Sequence, residues 1–320
     1  TVLVTGGGGY IASHVISALR GIECRILKLA RRAAQGSVSD PSVATIDEVV
    51  GDVRDKAIWP RLLSGTDVVF HLAAQTSTYE ANRNPAADLQ INVLPVLEMM
   101  EACRALSQRA AFIMASTVTV CGLPRNLPVD EDCPELPVTI YDLHKQMAEN
   151  YLKYHAREGI IKAAVLRLAN VYGPGPRSSR ADRGILNQMV MRALKGEAIT
   201  VYGAGEQIRD YVYVEDVARA FLLAAAEIDV LNGGHFIVSS GDGRSIGSAM
   251  QTVAERVRIR TGRSVEVLNT SPPGELSAIE SRNFIGDTRR LRYATGWTPT
   301  FTLEEGLDAT IEAMWKADGF

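Results

Sequence analysis

Residues 1–14 read TVLVTGGGGYIASH. A short apolar run at 2–4 meets four consecutive glycines, Gly6 to Gly9, and a helical pattern follows from Ala12 to Arg20. The glycines therefore form a strand-to-helix turn. Glycine supplies backbone conformations closed to other residues and lets a second backbone or a ligand come close. Gly7-x-Gly9-x-x-Ala12 fits the dinucleotide-binding fingerprint, whose last position needs only a small side chain for helix–strand packing. The helix amides behind the turn would face the pyrophosphate. Taken alone, the pattern also fits a plain glycine-rich turn; its place between a strand and a helix favours the dinucleotide.

Outward from this turn, apolar runs at 24–29, 68–71, 112–116 and 163–168 read as buried strands. Helical patterns lie between them at 93–106 and 141–157. Such alternation predicts an α/β fold, a Rossmann-type doubly wound parallel sheet with helices on both faces. After about residue 170 the rhythm breaks into Pro-, Gly- and Arg-rich loops, YGPGPRSSRADRG among them. The expected division is a dinucleotide-binding domain at 1–168 and a smaller C-terminal α/β substrate-binding region at 169–320. Part of the latter, about 208–230, is expected to return to the first domain.

The 320 residues are 46% hydrophobic with a formal net charge of -3, a globular balance with no electrostatic case for nucleic acid or membrane partners. Cys24, Cys103, Cys121 and Cys133 show no metal spacing and read as reduced cytoplasmic thiols. No metal site is expected. No stretch is long and apolar enough to span a bilayer, and no signal peptide is legible. The absence of an initiator Met points to trimming.

The second strand should end in an acid if the cofactor is NAD, because a carboxylate holds the ribose 2′-hydroxyl. Here Ala30 is followed by Arg31 and Arg32, which would pair with a 2′-phosphate. NADP(H) is therefore expected, with NAD(H) as the alternative if the arginines are merely solvated. Downstream, Tyr141 and Lys145 lie four apart on a helical pattern, hence on one face. A nearby ammonium favours phenolate and lowers a tyrosine pKa from about 10. Such a tyrosine can take a proton from a sugar hydroxyl or return one to a ketone. Thr117, at the end of the strand AFIMAST, could hydrogen-bond the same oxygen.

With these residues in place, TGGGGYIASH, GDVRD (51–55), HLAAQ (71–75), ASTVTVCG (115–122), Tyr141-x-x-x-Lys145, RLANVYGPG (167–175), VYGAGEQIRDYVYVEDVARA (201–220) and GWTPTFTLEEGL (296–307) occur in order. Together they resemble the extended short-chain dehydrogenases/reductases, the nucleotide-sugar epimerase/dehydratase group. The resemblance implies a pyrophosphate loop at Gly6, Gly9, Tyr10, Ile11 and Ala12. It implies adenine contacts at Asp52 and Val53, and a cofactor channel at Leu72, Ala73 and Ala74. Asn92 matches a structural or cofactor-contacting asparagine. Thr117, Tyr141 and Lys145 match the catalytic set, with Lys145 also holding the ribose. Ser77, Asn170, Asn187, Arg209 and Arg282 match substrate positions, the arginines suiting a nucleotide diphosphate.

Departures from the pattern narrow the reaction. Dehydratases of the group carry an Asp-Glu pair where Val118 and Thr119 stand, and decarboxylases carry Glu at Thr119. With no acid placed after Thr117, both activities rank low. Thr119-Val120-Cys121-Gly122 is closest to the 4-epimerase ending, with Cys121 read as a small buried thiol. Pro95 should kink its helix or mark its first turn, and His144 is expected to point to solvent. The resulting expectation is a nucleotide-sugar 4-epimerase working through a 4-keto sugar. A 4-keto nucleotide-sugar reductase using NADPH is the alternative, and a non-catalytic NADP-binding sensor is a third reading. A homodimer through the helices near 93–106 and 141–157 is implied by the resemblance, with Leu94, Leu97 and Met100 either at that face or packed on the sheet.

Overall fold

In the computed structural model, residues 1–33, 42–107, 109–176, 184–272, 274 and 276–318 are described. Seven strands build the main sheet: β1 (Val2–Thr5), β2 (Arg25–Ala30), β3 (Thr45–Val50), β4 (Val68–His71), β5 (Ala111–Thr117), β6 (Lys162–Leu168) and β10 (Gly234–Val238). Their order is β10-β6-β5-β4-β1-β2-β3, all parallel. The chain runs outward from β1 to β3, then returns to the other side of β1 at β4. This reversal leaves a crevice at the carboxyl ends of β1 and β4, where doubly wound sheets bind ligands.

The other strands are β7 (Asn170–Tyr172), β8 (Ile199–Tyr202), β9 (Ile208–Tyr213), β11 (Gly243–Ser245) and β12 (Val267–Thr270). They form a β11-β9-β7 sheet and a β12-β8 pair. The helices are α1 (Tyr10–Leu19), α2 (Trp59–Leu63), α3 (Thr78–Arg83), α4 (Pro85–Asn92), α5 (Leu94–Leu106), α6 (Ile140–Arg157), α7 (Ile185–Leu194), α8 (Val214–Ala226), α9 (Ile228–Leu231), α10 (Ile246–Thr261), α11 (Arg289–Thr295) and α12 (Leu303–Asp318).

Strand alternation divides the core into two layers. Val2, Val4 and Ile113 face α1 and α8, whose Val15, Ile16, Val217 and Phe221 cover them. Leu3, Phe112 and Met114 face the opposite way, against Trp59 of α2, Val96 and Met100 of α5, and Leu152 of α6. A third cluster holds the C-terminal part together, with Val190, Val253 and Leu307 at its centre. The doubly wound α/β expectation is met. The edge strand β3 escaped the sequence reading because Asp47 and Glu48 interrupt its apolar residues, paired with Arg25 and Lys28 of β2. Pro95 sits in the first turn of α5, where its missing N–H costs no helical bond. Most of the loop YGPGPRSSRADRG, residues 177–183, lies outside the described residues.

One buried ionic system ties β5, β6 and α6 together. Arg167 of β6 is 1% exposed and donates to Glu149 of α6 through Nη2 at 2.6 Å and Nε at 3.1 Å. Its Nη2 also contacts Glu135. Ser116 Oγ donates to the same Glu149 at 2.5 Å. Lys153 reaches Glu149 at 3.1 Å and His235 Nδ1 at 2.9 Å. Replacing Arg167 by Met leaves the buried Glu149 carboxylate to Lys153 and Ser116 alone, a loss of about 3 kcal/mol. The urea unfolding midpoint should fall accordingly, with the unfolding slope unchanged.

Candidate active site

The glycine turn is shaped by close approach. Gly6 has φ +68°, and a Cβ there would lie 2.8 Å from N and Cα of Ala73. A Cβ on Gly9 would meet the Gly6 carbonyl oxygen at 2.9 Å, the oxygen that accepts the Gly9 N–H at 2.7 Å. Gly9 caps α1 without a side-chain bond, and the first turn carries no acid, so the helix amides stay available to an anion. Ala12 is 1% exposed in the core, as a packing position should be. These features fit the pyrophosphate of a nicotinamide dinucleotide. Below the turn, Thr5 Oγ1 accepts N–H bonds from Leu72 and Ala73 at 3.1 and 3.2 Å. Its own proton therefore goes to His71 Nδ1, 2.9 Å away. Burial pushes the His71 pKa down to about 3, so the ring stays neutral.

Tyr10 and His14 extend this loop to the second half of the chain. The Tyr10 hydroxyl donates to the Gly173 carbonyl at 3.0 Å, and His14 Nε2 donates to that of Pro174 at 2.7 Å. Ile11 packs half-buried against the core. After β3, Asp52 holds Arg54 through two oxygens, at 2.9 Å to Nε and 2.7 Å to Nη2. That bond, aided by Arg31, takes the Asp52 pKa down to about 2. Asp52 lines a cavity of about 490 Å³ with Gln90 and Leu94, and Val53 packs on the core beneath. Arg31 and Arg32 are exposed at the end of β2.

Ala74 is half-buried after β4. Asn92 braces this segment, accepting the Gln75 N–H at 3.2 Å and donating to the Gln75 carbonyl at 2.9 Å. Its Nδ2 also donates to Asp88 at 3.0 Å. Ser77 is buried and caps α3 by accepting the Glu80 N–H at 3.1 Å. His144 does not point to solvent: it is 6% exposed, and its Nδ1 lies 2.7 Å from Asp88 Oδ2. The cause is α4, which packs on α6 and brings Asp88 onto the face that carries His144.

Thr117 ends β5, and Tyr141 and Lys145 lie in the first turns of α6, which packs against β5. Lys145 Nζ donates to the Ala115 carbonyl at 2.6 Å. Its burial lowers its pKa to about 8, against the pull of Glu149 and Asp88. Tyr141 is buried one turn earlier. Thr117 Oγ1 lies 2.8 Å from Thr119 Oγ1, which donates to Asp142 Oδ1 at 2.5 Å. Asp142 was missed in the sequence. The segment after Thr117 lacks a carboxylate, as read, but α6 supplies one behind Thr119. A carboxyl directly after tyrosine in a helix looks like an ordinary first-turn acid, so nothing local flagged it. Cys121 is a buried thiol, pushed up to about 12 by desolvation.

The expected substrate residues separate by their partners. Arg209 is spent on backbone, donating to the carbonyls of Ile208, Arg282 and Glu280. Asn187 holds both sides of Gly173, accepting its N–H at 3.1 Å and donating to its carbonyl at 2.8 Å. Asn170 opens β7, paired with Tyr211 of β9. Arg282 differs. It is 5% exposed, with Nε and Nη1 lacking any hydrogen-bond acceptor. Desolvation and the adjacent Arg209 lower its pKa to about 10. A buried guanidinium with orphaned donors suits an anion. The grouped ligand atoms of Glu135, Glu149 and His235 hold Arg167 and Lys153, which occupy the place a metal would need.

A dinucleotide-shaped turn beside a Thr-Tyr-Lys set on a doubly wound sheet defines a nicotinamide-dependent enzyme of the extended short-chain dehydrogenase/reductase type. The model of the NAD dependent epimerase/dehydratase family matches residues 2–239, and the chain belongs to that family. It is 28% identical over 325 residues to a UDP-glucose 4-epimerase of Mycolicibacterium smegmatis, covering 97% of each chain. The UDP-glucose 4-epimerase of Thermotoga maritima, solved with UDP-glucose, has 31% identity, 99% coverage of both chains and a TM-score of 0.84. That of Thermus thermophilus, solved with NAD, has 31% identity, 99% coverage of both and a TM-score of 0.81.

Substituting Gly6 by Ala forces a Cβ into the Ala73 backbone at positive φ. The expected results are a loss of about 1–3 kcal/mol in thermal unfolding and weakened dinucleotide binding by fluorescence titration.

Proposed function

We propose that this protein is a nucleotide-sugar 4-epimerase acting through a transient 4-keto sugar. The observation that carries the reading is the combination of Thr117, Tyr141 and Lys145 at the junction of β5 and α6 with the orphaned Arg282 guanidinium. Arg282 would hold the diphosphate of a nucleotide sugar, with Arg209 bracing the Arg282 segment through its carbonyl. Asn170 and Ser77 would line the sugar end. Asn187 would act through the Gly173 loop. A bound nicotinamide dinucleotide supplies the site that takes up and returns a hydride at the sugar carbon. Tyr141 takes the C4 hydroxyl proton and later returns it. The Lys145 ammonium stabilises the phenolate and holds the ribose, while Thr117 steadies the C4 oxygen. Residues 1–168 would serve mainly the cofactor and 169–320 mainly the nucleotide sugar. The cytoplasm is the expected setting. A homodimer would use the exposed sides of α5 and α6; Met100 is buried in the core, leaving Leu94 and Leu97 half-exposed for such a face.

Incubation with UDP-hexoses and their uronic acids, read by proton NMR, tests the reaction. Interconversion of C4 epimers without added reductant is expected. Failure with every such substrate overturns the proposal. Replacing Tyr141 by Phe should lower turnover at least about a hundredfold and leave dinucleotide binding intact.

Arg31 and Arg32 favour NADP(H), and with it a 4-keto nucleotide-sugar reductase as the second reading. No carboxylate ends β2, and Arg31 lies close enough to Asp52 to depress its pKa. Replacing Arg31 by Asp should shift the ratio of NADP to NAD affinities at least about tenfold towards NAD, measured by isothermal titration. An unchanged ratio rejects the phosphate-binding role. Steady oxidation of NADPH by 4-keto nucleotide sugars, with no epimerisation, would select the reductase.

A further inference from the structure

We infer that Asp142 is a positioning residue which, through Thr119, sets whether Thr117 donates to or accepts from the substrate oxygen. The inference rests on Thr117 being the substrate contact proposed above. Three oxygens form a chain: Thr117 Oγ1 to Thr119 Oγ1 at 2.8 Å, and Thr119 Oγ1 to Asp142 Oδ1 at 2.5 Å. The Thr119 N–H also donates to Thr117 Oγ1 at 3.2 Å. Asp142 is fully buried, and its Oδ2 has no hydrogen-bond partner.

Each threonine hydroxyl has one proton, which fixes the polarity of the chain. If Asp142 is a carboxylate it only accepts. Thr119 must then donate to it, and Thr117 must donate to Thr119. Thr117 thus faces the substrate as an acceptor and competes with Tyr141 for the sugar hydroxyl proton. If Asp142 carries a proton and donates it to Thr119, both bonds reverse. Thr117 then donates to the substrate oxygen, which leaves that oxygen's proton to Tyr141 and stabilises the charge left behind. The switch adds one proton, taken from water, to Asp142 and rotates two hydroxyls; no bond to carbon changes. The productive polarity is the one with Asp142 protonated.

Burial is the feature of the surroundings that pushes towards that form. Burial raises the Asp142 pKa, opposed by the hydroxyls of Thr119 and Thr139 and by the Arg282 charge. Arg282 in turn faces Arg209, Glu280 and Cys121. Tyr141 and Lys145 lie on the same helix, and Lys145 titrates at about 8.

Three variants test the relay. In the wild type, kcat should fall as pH rises through a carboxyl titration raised above the ordinary aspartate range. Asp142→Asn keeps a donor towards Thr119 at every pH, so it should stay active and lose this limb. Thr119→Val cuts the chain and should lose about tenfold in kcat, the weight of one hydrogen bond to charge, together with the limb. Thr119→Ser should restore both. A limb retained in Asp142→Asn, or Thr119→Val as active as the wild type, overturns the inference. Infrared difference spectra supply a readout independent of turnover. A protonated carboxyl band should vanish in Asp142→Asn and shift in Thr119→Val. If the wild type converts no nucleotide sugar, the function proposed above fails while this band still decides the relay: a Thr119-dependent band supports it, and absence of the band overturns it.

Discussion

Where β1 and β4 part, Gly6 lies against Ala73 so closely that a Cβ would come within 2.8 Å of its N and Cα. Thr5 closes the same junction from below, its hydroxyl accepting the Leu72 and Ala73 amides and donating to His71. This approach holds the two inner strands together at the point where the sheet reverses direction. It leaves the amides of α1 facing outward for a pyrophosphate. Tyr10 and His14 then carry the constraint across to Gly173 and Pro174, so one end of the cofactor turn positions the second half of the chain. A glycine sequence that looks like freedom is in fact a tight fit.

Proton chemistry is organised on the next strands. Arg167, Glu149 and Ser116 bind β5, β6 and α6 into one rigid body. Lys145, anchored to the Ala115 carbonyl, inherits its position from that body. Glu149 and Asp88 work against the desolvation of its ammonium. Asp88 also holds Asn92 and His144, which links the segment after β4 to the helix bearing Tyr141. The geometry here follows from buried charge whose partners come from different elements, the arrangement that makes removal of any one partner costly.

The inner strands were legible because parallel strands covered on both faces run continuously apolar. β3 was not, because Asp47 and Glu48 break up the apolar residues of this edge strand. Tyr141 and Lys145 could be paired from their spacing alone, since one helical turn separates them. His144 was misread, because its partner Asp88 lies on another helix and no local pattern reports it. Arg209, Arg282 and Asn187 read alike in sequence. Their hydrogen bonds separate them: two are committed to backbone, and only Arg282 keeps buried donors without acceptors.

The sequence by itself determined the strand–turn–helix opening, the doubly wound sheet, the dinucleotide class and the Thr-Tyr-Lys set, because each depends on short-range spacing or strand burial. Tertiary structure alone decided which charges are paired. It placed the Asp142 carboxyl behind Thr119 and left the Arg282 guanidinium unsatisfied. The physical reason is that a side chain's protonation and hydrogen bonding depend on neighbours distant along the chain, and burial then amplifies every such contact.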